Sequence, residues 1–489
     1  RGISAYDFNK VKSLVDSGYA QTVRQIEEIK SKISRHETCD AVMERRNTFT
    51  SRSVPFVFDG LTFNSFNSKQ RGYLRAIFRS RKSKGKFNFS DIKEGYFRLV
   101  SEEYFSNVYP GILHNPDKEA FTLQLTRRPQ QNFQVGVGGV IATRDISNVF
   151  LGLNLYNFNR ILSHAYVGFQ TGFFYKSAIL KFRMDFPYQF YVEPMVSFDG
   201  WNYLNNDDLL NDVSSPITPT VLKRINRKYG FNIGMPVKES FKGAFTFEGY
   251  STLDRYINGD VFISTDKLDE LELTGYKAGL NLSSNSLNRR QYASSGKAMG
   301  LWADFFSLTE NFTPGTTSVE DQPVEVKHEW LRVKVSAEQY FGSGWYRPGY
   351  VAEVVLSNQP FFQNYFGTII NSPAFLPMQD SPTLILQNFR SIKYAALGMR
   401  NVFTLRRNLD FRLEGYLFKP FEYIEQNAVQ EAEFSDNNNP LFLAGTAGVV
   451  YHTPIGPVSL SVNYYDDDEN TLGVLLHAGF LLFNKHTFE

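Results

Sequence analysis

Lys181, Arg183 and Asp185 alternate with Leu180, Phe182, Met184 and Phe186, so ionisable groups fill one row of a short stretch and apolar groups the other. A charged row of this kind can pair ions, select them or fill a polar channel, but it cannot face hydrocarbon. Arg332, Lys334, Arg400, Arg412 and Glu414 carry the same chemistry further along. Two arrangements stay open: the lining of a selective aqueous pore, or a mutually satisfying network that plugs the interior. Bond-making chemistry is poorly supplied. A serine hydrolase needs Gly-x-Ser-x-Gly on a strand-to-helix turn, an aspartate partner and backbone donors for the oxyanion, and no such pentapeptide occurs. Asp59-Gly60 and Asp199-Gly200 read as turn chemistry. Gly136-Val-Gly138-Gly139 lacks the strand-turn-helix setting of a phosphate loop and reads as the small residues of a strand. His36-Glu37 with Asp40 lacks the second histidine of a zinc protease, and the single cysteine, Cys39, excludes an internal disulfide. No catalytic, cofactor or metal site is predicted.

The elements that position the charged rows are strands. In Thr471 to Asn484, one row is Leu472, Val474, Leu476, Ala478, Phe480 and Leu482, and the other is Gly473, Leu475, His477 and Gly479. Alternation of this kind, repeated from about residue 132 to the end, predicts roughly 16 strands. Their expected spans are 132–142, 148–158, 163–175, 177–186, 189–202, 219–236, 241–258, 269–284, 293–309, 324–340, 347–359, 393–405, 409–421, 440–453, 457–466 and 471–484. Nowhere is there a run of about 18 apolar residues that would make a membrane helix. Mean hydropathy of -0.31 looks like that of a soluble protein, yet a barrel spreads its apolar residues over every second position and hides them from averages. The 45 Phe, 27 Tyr and 4 Trp suit the aromatic girdles of a membrane barrel.

Connection lengths choose the same topology independently. Short connections centre on Asn159, Tyr188, Pro236, Asn288, Arg347, Arg407 and Pro454, while long ones around 203–218, 310–323, 360–392 and 422–439 fall on the opposite side. Short periplasmic turns and long external loops are the habit of bacterial outer-membrane barrels. A net charge of +2 over 489 residues names no nucleic acid partner.

Ahead of the strands, residues 1–35 read as helix, with Phe8, Val11, Leu14, Val15, Val23, Ile26 and Ile29 at helical spacing. Residues 36–53 are polar and read as a linker. Residues 54–130 predict a compact α+β unit: a strand at 55–60, a helix at 68–81, a second helix capped by Asp91, then strands at 105–113 and 121–126. The sequence opens at Arg1 with neither Met nor an apolar signal segment, which reads as a trimmed or partial chain.

A strand-helix-helix-strand-strand unit followed by about 16 strands resembles the BamA-like superfamily, in which a POTRA domain precedes an outer-membrane barrel. The resemblance implies a mostly β fold with barrel residues 131–489 and a bacterial outer-membrane location, the POTRA domain and N-terminus being periplasmic. It also implies contact with outer-membrane lipids and with other outer-membrane or periplasmic proteins, and it leaves open a homodimer. The family's sixth external loop folds into the lumen and carries a Val-Arg-Gly-Phe tip. Leu386-Gln387-Asn388-Phe389, followed by Arg390, looks like that tip with its central pair replaced. The family's arginine meets an acid of the thirteenth strand, which Glu414-Gly415 resembles. Either Arg390 takes over that salt bridge or the loop is unlatched. Tyr6-Asp7-Phe8 with Gly18-Tyr19 looks like the end of a patatin-like phospholipase domain, which one branch of the superfamily carries. That branch implies a transporter or anchor for a lipid hydrolase. A structural barrel subunit and a passive diffusion channel are the alternatives.

Overall fold

The computed structural model describes residues 11–33, 37–51, 56–79, 86–101, 103–105, 107–128, 131–187, 190–204, 221–238, 241–257, 266–435, 440–467, 470–484 and 486–488. Three helices come first: α1 (Val11–Arg24), α2 (Ile26–Lys32) and α3 (Cys39–Ser51), none with a buried residue. α3 occupies most of the stretch expected as a linker. A helix solvated on all sides has no apolar period to reveal it. Of the patatin-like fragment, Tyr6, Asp7 and Phe8 lie outside the described residues, and Gly18 and Tyr19 fall in α1.

Next come β1 (Val57–Asn64), α4 (Ser68–Arg79), β2 (Phe87–Asn88), α5 (Phe89–Ser101), β3 (Val108–Asn115) and β4 (Ala120–Arg127). This is the expected order with a two-residue strand added between the helices. The sheet runs β2-β1-β4-β3. Asp91 lies in the first turn of α5 and accepts from the Asn88 backbone N–H at 3.2 Å, the reach-back half of a capping box. Contacts do not gather 54–130 into one block. One unit comprises 1–62, 84–93 and 110–124, and the other 63–83, 94–109 and 125–489. Within the first, the Phe56 ring lies 5.2, 5.1 and 4.9 Å from those of Phe58, Phe89 and Phe121. Within the second, Phe158 stands 5.2 Å from Tyr73 and 5.0 Å from Phe105, and its carbonyl accepts from Gln70 at 2.8 Å. The aromatic end of a barrel strand therefore holds α4.

The remaining strands are β5 (Phe133–Ala142), β6 (Asn148–Phe158), β7 (Leu162–Gly172), β8 (Tyr175–Phe186), β9 (Phe190–Leu204), β10 (Val221–Lys238), β11 (Phe241–Tyr256), β12 (Asp269–Asn285), β13 (Lys297–Thr313), β14 (Val324–Tyr340), β15 (Tyr346–Ser357), β16 (Tyr394–Arg406), β17 (Leu409–Pro420), β18 (Ile424–Gln426), β19 (Ala432–Phe434), β20 (Phe442–Thr453), β21 (Gly456–Tyr465) and β22 (Leu472–Gly479). All but the β18–β19 hairpin join one closed antiparallel barrel of 16 strands, in which β22 returns to β5. Leu180, Phe182, Leu413, Leu417, Val474 and Leu476 are exposed on its outer face, while Asp185, Arg412 and His477 are buried within. A continuous apolar exterior around a polar interior is the pattern of a membrane-spanning barrel.

Several strand ends differ from expectation by two residues or more, and two of these differences bear on the lumen. β13 starts at Lys297 rather than 293, because Gln291, Ala293 and Ser294 turn inward and are buried. β22 stops at Gly479 rather than 484. Gly479 has φ 107°, and a Cβ there would lie 2.1 Å from the Gly139 carbonyl oxygen, so only glycine lets the chain bend away at this point. The β22–β5 seam consequently pairs only His477 with Ala142, Ala478 with Ile141 and Gly479 with Val140.

Candidate functional site: the filled lumen

The connection from β15 to β16, residues 358–393, folds into the barrel instead of standing outside it. It contains α6 (Tyr365–Asn371), where Asn364 accepts from the Gly367 N–H at 2.8 Å as an N-cap and receives the Tyr256 hydroxyl at 2.9 Å. Phe366 to Asn371 are all buried. The descent can be followed along β16. Its first residue, Tyr394, donates to the Ala374 carbonyl at 3.2 Å, and Arg400, six residues further, donates to the Pro377 carbonyl at 2.9 Å. The chain then rises to Asp380, which accepts from Asn463 and Tyr465 of β21, each at 2.7 Å, with Arg144 at 3.7 Å.

The expected tip lies on the rising limb. Leu386 and Phe389 are 0% exposed in an apolar cluster with Tyr416, Phe418 and Tyr465. Gln387 opens the turn Gln387–Phe389. Asn388 donates its N–H to Asp467 at 3.2 Å and its amide to the Asp466 carbonyl at 3.1 Å. Arg390 donates to the Ile370 and Ser372 carbonyls at 3.2 and 3.4 Å. Glu414 takes its ion pairs from the wall, 2.7 Å from Arg412 and 3.6 Å from Arg400. The loop is latched, but through an acid on the loop and donors on the wall.

The charged residues divide into local groups. Arg400 and Glu414 are cross-strand partners, and Arg412 shares the inner row of β17 with Glu414. Tyr416 donates to Glu414 as well, while Arg400 reaches Glu338 at 2.5 Å and Arg412 reaches Tyr340 at 3.2 Å. Charges this deeply buried are tolerable only when paired and hydrogen-bonded. Lys181, Arg183 and Asp185 form a separate group on β8, where Arg183 binds Asp185 at 2.6 Å and covers the Tyr191 ring at 4.2 Å. Arg332 pairs with Asp304 at 2.8 Å, and Lys334 with Glu353 at 3.1 Å. Of the two arrangements left open by the sequence, these contacts are those of local ion pairs grouped by strand. Between them remains a cavity of about 460 Å³ lined by Pro377, Asp380, Arg400, Arg412, Glu414 and Leu481 among others.

Sequence reasoning missed two further fillers. The turn 286–296 brings Arg412 into contact with the Ala293 carbonyl at 2.8 Å, and Arg289 to Asp410 at 3.2 Å. Residues 480–484 and 486–488 enter the lumen after Gly479. Asp59 and Asp199, read as turn residues, lie inside β1 and β9. Asp199 is buried and accepts from Tyr175 at 2.8 Å and Asn484 at 2.6 Å, so its role is to satisfy lumen donors. Gly136, Gly138 and Gly139 are strand residues of β5, as expected. Among the described residues no group of three or more His, Cys, Asp or Glu side chains is placed to hold a metal ion.

No protein-family model matches this sequence, and no curated protein matches it. Solved structures do. BamA from Haemophilus ducreyi lacking POTRA domains 1–3 matches with a TM-score of 0.51 at 11% identity, covering 87% of this chain and 84% of that one. CdiB from Acinetobacter baumannii matches at 0.51 and 9%, covering 87% and 74%, and CdiB from Escherichia coli at 0.51 and 12%, covering 88% and 77%. At such identities the likeness is one of fold: this chain is a 16-stranded barrel built like those of BamA and CdiB.

Proposed function

We propose that this chain is a bacterial outer-membrane barrel of the BamA-like type, a transporter or anchor that holds or exports a patatin-like lipid hydrolase carried on its N-terminal side. The observation that carries this reading is the loop 358–393, packed into the lumen and fixed there by buried polar contacts to β16 and β21. A passive diffusion channel has no use for such a filling. Residues 54–130 act as a periplasmic POTRA domain, outer-membrane lipids surround the apolar exterior, and outer-membrane or periplasmic proteins are the partners. The residues described here do no bond chemistry themselves.

A structural subunit is the second reading, favoured by α1–α3, which bury no residue and leave Val11, Val15, Tyr19 and Phe49 exposed. Another outer-membrane protein or a second copy of the chain would cover them.

The test uses cells making the complete gene product. Their outer membranes are assayed for phospholipid hydrolysis, and an epitope ahead of α1 is probed with protease before and after the outer membrane is permeabilised. Hydrolysis with an epitope cut only after permeabilisation is the expected result. Absence of hydrolysis removes the enzyme and leaves the structural reading, and cleavage in intact cells reverses the orientation.

A further inference from the structure

Gly200 lies inside β9, between Asp199 and Trp201, which are buried in the lumen, so its own position faces outward. Nothing stands within 4 Å of the place a Cβ would occupy, and the outer wall is open above it. Cations surround that opening. Lys176 of β8 is the cross-strand partner of Gly200 on one side, and Ile225 of β10 is its partner on the other. Lys223 and Arg227 stand two residues before and after Ile225, opposite Asn202 and Phe198. Lys176, Lys223 and Arg227 are exposed, whereas Tyr175, Arg224, Asn226 and Lys228 beside them are buried, so the three cations share the outer face with Gly200. Directly opposed residues have Cβ atoms about 4.5–5.5 Å apart and diagonal ones about 7–8 Å. Three long side chains at those distances can close around one headgroup.

None of the three has an anion to hold. Among the described residues Lys176, Lys223 and Arg227 form no hydrogen bond or ion pair. Their neighbours on the same face, Thr171, Ala178, Asn202, Ser251 and Leu253, bring no acid. Arg255, directly opposite Lys223, adds a like charge, and Glu270 of β12 takes that charge up at 2.8 Å. Along the same strands, away from Gly200, the outer face is apolar: Leu180 and Phe182 on β8, Val196 and Phe198 on β9, and Tyr229 on β10 are exposed. The rings of Phe231, Phe247 and Tyr276 follow one another at 5.8 and 5.9 Å across β10 to β12. Such rings mark the level where hydrocarbon gives way to headgroups. Arg227 stands two residues beyond Tyr229, with Phe198 across from it and Ile225 next along its row. An unpaired cation is costly at that level, and a lipid phosphate would pair it.

We propose that the outer wall around Gly200 is a lipid seat, in which Lys176, Lys223 and Arg227 grip the phosphates of a headgroup while Leu180, Phe198 and Tyr229 receive its acyl chains. The guanidinium offers a fork of donors to phosphate oxygens, and the two ammonium groups supply point charges. Lys223 and Arg227 are about 13 Å apart along β10, a span that suits a headgroup with more than one phosphate better than a single phosphodiester. The occupant is a phosphorylated glycolipid of the outer leaflet. That identification rests on the outer-membrane reading, because the seat lies at the end of the wall where the long connection from β9 to β10 leaves it. The seat itself rests on the wall alone.

The full chain in a neutral detergent is titrated with diphosphoryl lipid A, and native mass spectrometry counts the lipid retained. One saturable site is expected, with an affinity at least tenfold lower in Lys176→Gln/Lys223→Gln/Arg227→Gln. Gly200→Val tests the seat without touching a charge. Its side chain enters open space, so the barrel folds, which cold-gel mobility checks, but the headgroup is held off and affinity falls as well. Lys327→Gln, on the outer face of β14 between Glu325 and Glu329, should bind like the parent protein. Parental affinity in either seat variant would overturn the proposal. So would undiminished binding of the same lipid without its phosphates, which would assign the contact to acyl chains alone. Phosphatidylglycerol bound as tightly would overturn the choice of a glycolipid. The titration has no sidedness, so its failure leaves the outer-membrane reading intact, and the intact-cell protease test can fail with the seat unaffected.

Discussion

Asp380 accepts a hydrogen bond from the Tyr465 hydroxyl at 2.7 Å, with Asn463 on its other oxygen at 2.7 Å and Arg144 at 3.7 Å. Arg144 lies on the turn after β5, and Tyr465 ends β21, so one loop carboxylate ties together the two sides of the short seam between β22 and β5. Replacing Asp380 with alanine leaves buried donors unpaired, at about 1–3 kcal/mol for each group stranded. The Asp380→Ala barrel should therefore melt at a lower temperature in detergent, with faster proteolysis within 358–393. Tyr465→Phe takes the donor from one Asp380 oxygen and the 2.9 Å partner from the Ser381 hydroxyl but leaves Asn463 paired with the other oxygen, so its loss should be the smaller of the two. Equal melting of both variants and the parent protein would sink the latch assignment.

Arg400 and Glu414 lead to a second expectation. Arg400 holds Glu338 at 2.5 Å, Glu414 at 3.6 Å and the Pro377 carbonyl at 2.9 Å. Removing one member of a buried pair strands its partner, at about 3–5 kcal/mol, whereas neutralising both members together is far milder. Arg400→Ala should cost more stability than the double variant Arg400→Met/Glu338→Gln. Urea unfolding in lipid vesicles measures the difference, and additive losses would show that the two side chains do not act on each other.

Most of the barrel was legible because lipid imposes a row-by-row code. Lys181, Arg183 and Asp185 could face only water, so β8 was fixed in place and in facing by three residues. The lumen contents were not legible in the same way. Leu386 and Phe389 matched the tip that the family resemblance implies for an inward loop, yet neither could reveal that Asp380 would be its latch, because the partners Asn463 and Tyr465 lie more than eighty residues away and no local pattern links them. The inward turn after Gly479 was hidden for the opposite reason. Phe480 and Leu482 obey the strand code, so alternation alone carries β22 five residues too far, to 484 rather than Gly479. The bend is written only in the glycine. α3 escaped because a fully solvated helix needs no apolar stripe.

Outside the barrel, Asp59 provides a pH test. Partial burial works against its ionised form, but the Lys118 ammonium at 3.2 Å and the Thr122 hydroxyl at 3.0 Å together outweigh it and hold its pKa below the ordinary aspartate value. A carboxyl whose pKa is lower in the folded state contributes stability that is fully present above the unfolded pKa and is lost as pH falls through the folded one. Asp59→Asn should therefore destabilise the sheet-bearing unit at about pH 6 and scarcely at all near about pH 2, below the usual aspartate range. Hydrogen exchange of β1 and β4 in the two proteins reads this out. A difference that persists at the acidic end would assign the loss to packing instead.

Gly479 and Gly473 stand on the same strand and should respond oppositely to an added methyl group. At Gly479 the backbone is left-handed, with φ 107°, and the new Cβ would meet the Gly139 carbonyl oxygen at 2.1 Å. A non-glycine residue in that region costs roughly 1–2 kcal/mol before any clash is counted. Gly473 has nothing within 4 Å of the corresponding position, so alanine fits there without displacement. Gly473→Ala should leave the temperature at which the folded band disappears on cold gels unchanged or slightly raised. Gly479→Ala should push β22 away from its bend and toward an extended backbone. It should therefore lower the temperature at which the folded band disappears. Unchanged melting of the Gly479→Ala protein would mean that the left-handed bend at Gly479 is not what ends β22 there.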